Sequence, residues 1–280
     1  MRATTVIFWV LSAVWAVTGC RPDDPAAGPL PTEPLADTVR APLLLRWPST
    51  FAVMDPSGRY ERVRFDTLLG PCGRDTLPAA CTRVVFRYPR FVGSVGGRLQ
   101  GALNREVAEF LYGDRGRAWT SYVPDPPARF ANDATYQWRL RREVEVVRFD
   151  SIVGLRLDGY EYTGGAHGLP VRRYVNVDAA TGNVLSLDAL LSADAQEQLC
   201  KLAEDRFRRQ QGVAADASLQ EAGFWFEEER FFLPENFLAG TDSLYFQYQP
   251  YEVGPYAVGM PRVAFAREEI KQLLERTPGF

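Results

Sequence analysis

Val171-Arg172-Arg173-Tyr174-Val175-Asn176-Val177-Asp178, then Ala179-Ala180-Thr181-Gly182, then Asn183-Val184-Leu185-Ser186-Leu187 is the stretch on which the fold turns. Val171, Arg173, Val175 and Val177 share one face of a period-two pattern. Small residues ending in glycine then interrupt it and a second alternating run returns, which predicts an antiparallel hairpin. Upstream, Val153, Leu155 and Leu157 alternate with Gly154, Arg156 and Asp158, and Val144 and Val146 oppose Glu143 and Glu145 within residues 138–148. Both runs read as half-buried antiparallel strands. Residues 82–91 mix β-branched and aromatic side chains, with Pro89 expected to end that strand or place it at an edge. Downstream, Phe231-Phe232-Leu233, residues 243–249 and residues 262–266 read as further strands.

Helices punctuate this pattern. Leu99, Leu103, Val107, Phe110 and Leu111 line one face of residues 99–112. Ser192 is placed to cap a helix reaching about Gln211, with Leu199, Leu202, Ala203 and Phe207 on its buried side and Gly212 at the position after its end. Residues 267–275 carry Ile270, Leu273 and Leu274 and predict a closing helix. The expected class is α+β: a mainly antiparallel sheet with about three helices, in two intimately packed subdomains.

Composition narrows the function. In 280 residues, 46% hydrophobic and 24% charged, 32 basic side chains meet 35 acidic ones for a net charge of −3. That is a globular chain too balanced in charge to suggest nucleic acid as a partner. One histidine and four cysteines argue against a zinc centre, and no cofactor or metal is expected. No repeat of solenoid period, phosphate loop, dinucleotide fingerprint, HExxH or GxSxG motif occurs.

Residues 1–19 read as an export signal. Arg2 is followed by an apolar run from Val6 to Val17, broken only by Ser12, and Val17-Thr18-Gly19 leads to Cys20. Small residues directly before a cysteine resemble the bacterial lipobox, in which that thiol is acylated and becomes the mature N-terminus. The resemblance implies lipidation at Cys20 and attachment to a membrane through the lipid. Arg21, in place of aspartate after the cysteine, implies the outer membrane, facing the periplasm, in a cell with two membranes. Residues 20–39 carry prolines at 22, 25, 29, 32 and 34 and predict an extended tether, with a reach on the order of 50 Å.

Cys72 and Cys81 bracket a turn-rich loop holding Pro71, Gly73 and Pro78. In an oxidising compartment they are expected to form a disulfide, worth roughly 2.7 kcal/mol on a chain-entropy account. Pairing of either with Cys200 is the alternative. Cys200 itself is expected in the core of its helix.

Four stretches together resemble a known extracytoplasmic region. They are Tyr160-Glu161-Tyr162-Thr163-Gly164-Gly165-Ala166-His167-Gly168, then Tyr174-Val175-Asn176-Val177-Asp178 with Thr181-Gly182, then Phe231-Phe232-Leu233-Pro234-Glu235-Asn236-Phe237, and finally Leu244-Tyr245-Phe246-Gln247-Tyr248 leading through Pro250-Tyr251-Glu252-Val253-Gly254-Pro255-Tyr256-Ala257-Val258-Gly259. The set is similar to the region shared by RsiV-type lysozyme-sensing anti-sigma factors and the non-catalytic part of PdaC-type peptidoglycan deacetylases. It implies a PdaC-like module over residues 40–160 and an RsiV-like module over 161–280. The deacetylases carry a catalytic domain whose metal site uses paired histidines, whereas His167 stands alone. The anti-sigma factors carry a cytosolic domain and a spanning helix, where this chain has a lipobox. The resemblance therefore implies a non-enzymatic, membrane-anchored envelope lipoprotein that binds a lysozyme-like protein or a peptidoglycan or other glycan partner. A cell-wall hydrolase using paired carboxylates and a structural envelope protein are the alternatives.

The residues expected to make contact are His167, in its glycine-rich loop, and Tyr251, Glu252 and Tyr256, in a loop punctuated by proline and glycine. Their rings have apolar faces and polar edges suited to a sugar or a protein. Alternation places Phe246 in the core. Glu227-Glu228-Glu229 reads as a solvated charge run that could also receive a basic partner.

Overall fold

The structure, a computed structural model, describes residues 49–69, 82–112 and 138–274. Cys20, Cys72, Cys81, the export signal at 1–19 and the tether at 20–39 lie outside the described residues. Six strands form one sheet: β1 (Ser49–Met54), β2 (Tyr60–Leu69), β3 (Thr82–Phe91), β4 (Trp138–Phe149), β5 (Ile152–Tyr162) and β6 (Leu169–Asp178), in that spatial order. A second sheet holds β7 (Phe237–Ala239), β8 (Ser243–Gln247) and β9 (Arg262–Ala266). The helices are α1 (Gly97–Tyr112), α2 (Ala193–Gln211) and α3 (Lys271–Leu274).

All neighbouring strands are antiparallel except β3 and β4, which run parallel because the chain crosses between them by way of α1. The crossover brings the apolar stripe of α1 (Leu99, Ala102, Leu103, Val107, Phe110, Leu111) into one core with Val84, Phe86, Val144, Leu155, Leu157 and Val177. Pro89 does not place β3 at an edge. It lies beyond Arg87↔Glu143, the last β3–β4 pair, on the stretch of β3 where β4 no longer pairs and β2 alone continues, through Arg62↔Pro89. On the other face one row of register partners runs Phe51, Arg64, Arg87, Glu143, Asp158, Arg172 across all six strands. Arg87 meets Glu143 at 3.7 Å and Arg172 meets Asp158 at 2.6 Å, so this face stays polar between β3 and β6.

A second core gathers around α2. The Ser192 hydroxyl accepts the Ala195 N–H at 3.3 Å, and Gly212 closes the helix at φ 71°. Leu199, Ala203 and Phe207 are fully enclosed, and Phe207 makes ring contacts with Phe224, Phe226, Phe231 and Tyr248. Phe246 is buried as expected. Leu202 is not: at 45% exposure it lies off the packed stripe. Cys200 is half-buried at the side of α2 instead of in the core, its thiol against the Phe231 carbonyl at 3.6 Å and its pKa pushed up by burial.

The hairpin is corrected in its second arm. The return after β6 is a single bridge, Val177↔Val184, because Leu190 and Leu191 enter the second core and draw the chain off the sheet. Phe231-Phe232-Leu233 forms no strand either: Phe231 packs on Phe207 and Phe226, and the exposed Phe232 on Tyr248, so ring contacts take the place of a ladder. β5 runs through residues 160 and 161, so the segments expected as separate modules share one sheet. Among the described residues no helix is long and apolar enough to cross a membrane.

Candidate functional site

Two loops separated by about eighty residues in sequence come together at one end of β5 and β6. The first joins these strands, with Gly164 and Gly165 at φ 97° and 91°, a backbone turn that side chains rarely tolerate. Gly168 closes it against Tyr160, whose ring occupies the space a Cβ there would need. The second loop joins β8 to β9 and carries Tyr251 at φ 66°, an uncommon conformation for a residue with a bulky side chain.

Three of the four expected contact residues converge there. The His167 imidazole stacks on the Tyr256 ring, centroids 3.6 Å apart and planes 14° off parallel. Tyr251 lies 5.7 Å from Tyr256, ring centre to ring centre, and its hydroxyl is 3.4 Å from His167 Nε2. His167 Nδ1 lies 3.2 Å from the Gly168 carbonyl, which also accepts the Tyr256 hydroxyl at 2.9 Å. Each ring nitrogen of His167 thus faces a hydrogen-bonding group, Nδ1 the Gly168 carbonyl and Nε2 the Tyr251 hydroxyl. His167 and Tyr251 are exposed, Tyr251 at 47%, while Tyr256 is half-buried beneath them.

Glu252 plays a different part. Its half-buried carboxylate accepts the Gln249 N–H at 2.6 Å, and burial pushes its pKa up from the ordinary carboxylate value. The Gln249 side chain in turn takes the Arg172 N–H at 3.2 Å and donates to the Arg172 carbonyl at 2.6 Å. Glu252 thus braces the Tyr251 loop against β6. Sequence reasoning missed Gln249 and Asn236 altogether. Asn236 accepts the Tyr174 N–H at 2.8 Å and donates to the carbonyls of Arg172 and Gln247 at 2.8 and 2.9 Å, so two side-chain amides seal the outer edge of β6. No local pattern in the chain announces such a role.

The Glu227-Glu228-Glu229 run is likewise not simply a solvated face. Glu229 accepts from the Ser218 hydroxyl and from the backbone N–H groups of Leu219 and Gln220, which lowers its pKa, and Glu228 and Glu229 both take positive φ to reach that geometry. Among the described residues no three His, Cys, Asp or Glu side chains gather to hold a metal. Chemically, the loop pair offers a preformed aromatic surface with hydroxyl and imidazole edges, locked from behind by Gly168 and Gln249.

Comparison with known proteins gives the chain its relatives. Residues 188–268 match the family model described as "Protein of unknown function (DUF3298)". The match takes in α2, β7–β9 and the Tyr251 loop. Two solved DUF3298 structures share the fold. One, from Bacteroides fragilis, has a TM-score of 0.57 and 20% identity, with 84% of this chain and 96% of that one aligned. The other, from Pseudomonas aeruginosa, has a TM-score of 0.55 and 21% identity over 79% of this chain and 97% of its own. Over 125 residues, 44% of its length, the chain is 26% identical to the peptidoglycan-N-acetylmuramic acid deacetylase PdaC of Bacillus subtilis. That alignment spans 26% of the deacetylase.

Proposed function

We propose that this protein is a cell-envelope lipoprotein that binds peptidoglycan through the His167–Tyr256–Tyr251 surface and does not cleave it. The observation that carries the reading is the convergence of those three rings from distant loops, with the exposed Tyr251 held at a positive φ. A pyranose presents an apolar C–H face to a ring and hydroxyls at its rim, the complement of a tyrosine surface edged by hydroxyl and imidazole groups. The partial likeness to a peptidoglycan deacetylase supports the cell wall as the place of action. Cys20, acylated at the mature N-terminus, would hold the domain at a membrane, with residues 20–39 as spacer. The outer membrane facing the periplasm is the proposed location where two membranes exist.

The test is sedimentation of the full chain with purified sacculi. Tyr251→Ala is expected to reduce capture by about tenfold, as loss of one stacking ring implies. Capture of a lysozyme-like protein with no capture of sacculi would overturn the glycan reading in favour of a protein partner. Release of soluble muropeptides would overturn the non-enzymatic part. Separately, Cys20→Ala is expected to leave the membrane fraction, and its retention there would refute the lipid anchor.

A further inference from the structure

A second surface stands apart from the aromatic loops and goes beyond the reading above. Between β6, the segment Val184–Asp188, α2 and residues 231–235 runs a groove of about 740 Å³. Its apolar wall is formed by Leu185, Leu187, Phe231 and Leu233, with Val184 and Phe232 exposed at 53% and 39%. Solvent-facing apolar side chains gathered along one channel in this way mark interaction surfaces more often than scattered single residues do.

Two properties specify what fits. The first is charge. The lining contains Asp188, Glu197 and Glu235, all exposed, and no cationic side chain. Asp188 holds only the Gln196 amide, at 2.8 Å, and Glu197 holds Lys201, at 2.7 Å, in a pair exposed on both sides and easily exchanged. For Glu235 no ion pair forms among the described residues. The groove is therefore an apolar trough with an anionic rim. The second property is the backbone. Residues 230–234 are neither helix nor strand, and the N–H groups of Phe231 and Phe232 have no hydrogen-bond partner among the described residues. The carbonyls of these two residues are taken by the Cys200 thiol and the Tyr248 hydroxyl. One wall of the trough is thus an irregular, extended piece of backbone that presents apolar side chains along the groove, an arrangement suited to an extended chain.

We propose that this groove binds an extended peptide segment of a partner protein in which apolar residues alternate with lysine or arginine. The apolar residues sit in the trough against Leu187, Phe231 and Phe232. The cations meet Asp188, Glu197 and Glu235.

The experiment uses the full chain and a fluorescein-labelled octapeptide of alternating leucine and lysine, read by fluorescence anisotropy, with an alternating leucine–glutamate peptide as control. Saturable binding of the basic peptide alone, weakening as salt is raised, is expected. The double substitution Asp188→Lys/Glu235→Lys, at two exposed positions outside both cores, is expected to weaken it by about tenfold. Val184→Arg, which blocks the trough without altering the rim carboxylates, is expected to abolish it. Equal binding of the acidic peptide, no saturable binding, or indifference to both substitutions would overturn the proposal. Dimerisation of the free protein that Val184→Arg abolishes would overturn it in favour of a second copy of this chain. Tyr251→Ala is expected to leave peptide binding unchanged, so failure here and failure of the peptidoglycan reading are told apart.

Discussion

The two halves of the molecule hold themselves together by different means. In the six-stranded half, long backbone ladders do the work. β2 and β3 pair over ten positions, from Tyr60↔Phe91 to Leu69↔Thr82, and one helix covers a mostly aliphatic core. In the half built on α2, the strands run to only three or five residues, and the core is dominated by Phe207, Phe224, Phe226, Phe246, Tyr248 and Phe265. There, side chains replace missing ladder bonds. Gln247 is fully enclosed and donates to the carbonyls of Tyr248, Met260 and Pro261, and Asn236 and Gln249 fasten the loops to β6. The lesson is that an irregular chain can be as well fixed as a sheet when each buried polar backbone group finds a side-chain amide. Such a chain is also free to carry exposed loops such as that of Tyr251.

The comparison can be broken at several points. Phe207→Ala strikes the hub of the aromatic core and is expected to cost about 3–5 kcal/mol in urea unfolding. Because Asn176 both donates to the Phe237 carbonyl and accepts the Ala239 N–H, joining β6 to β7, unfolding of this variant is expected to remain a single transition by fluorescence and circular dichroism. Separate transitions for the two halves would show that these links do not couple the cores. Gln247→Leu removes an enclosed amide donor shared among the carbonyls of Tyr248, Met260 and Pro261 and is expected to cost about 2–3 kcal/mol, more than a Leu-for-Gln change at the surface could. Ser192→Ala removes the cap of α2 and is expected to cost about 1 kcal/mol, seen as an earlier urea midpoint.

The last test is electrostatic and lies in the sheet half. Asp55 accepts from the Ser57 N–H and hydroxyl and from Arg62, and the Ser57 bonds above all hold its pKa near about 2, below the usual 3.8. A carboxylate with a lowered native pKa stabilises the fold above its unfolded value and loses that contribution as pH falls from about 3.8 towards 2. Asp55→Asn is therefore expected to differ in stability from the native chain at neutral pH and to converge with it below that window. A constant difference down to pH 2 would sink this assignment.

Much of the secondary structure was legible because its causes are local. The apolar stripe of α1, the Ser192 and Gly212 ends of α2 and the alternation through Val153, Leu155 and Leu157 all lie within a few residues of what they specify. Glycine and proline punctuation also placed His167, Tyr251 and Tyr256 in loops, though not beside one another. The return arm after Gly182 and the Phe231–Leu233 segment carried strand composition, yet burial of Leu190, Leu191 and Phe231 in a distant core outweighed it. β-propensity describes fit to a half-buried surface, and here another surface won.

The sequence by itself determined the α+β class, the course of α1 and α2 and which aromatic residues lie in loops, since periodicity, caps and turn residues act over one or two turns of chain, whereas the closing helix expected over 267–275 is only Lys271–Leu274. Only the tertiary structure decided that β3 and β4 run parallel, that His167 stacks on Tyr256, that Asn236 and Gln249 hold their loops to β6, and that a groove with an anionic rim opens beside α2. Each of these pairs groups far apart in the chain. Their meeting is set by how two cores pack against a shared sheet, and no local pattern encodes it.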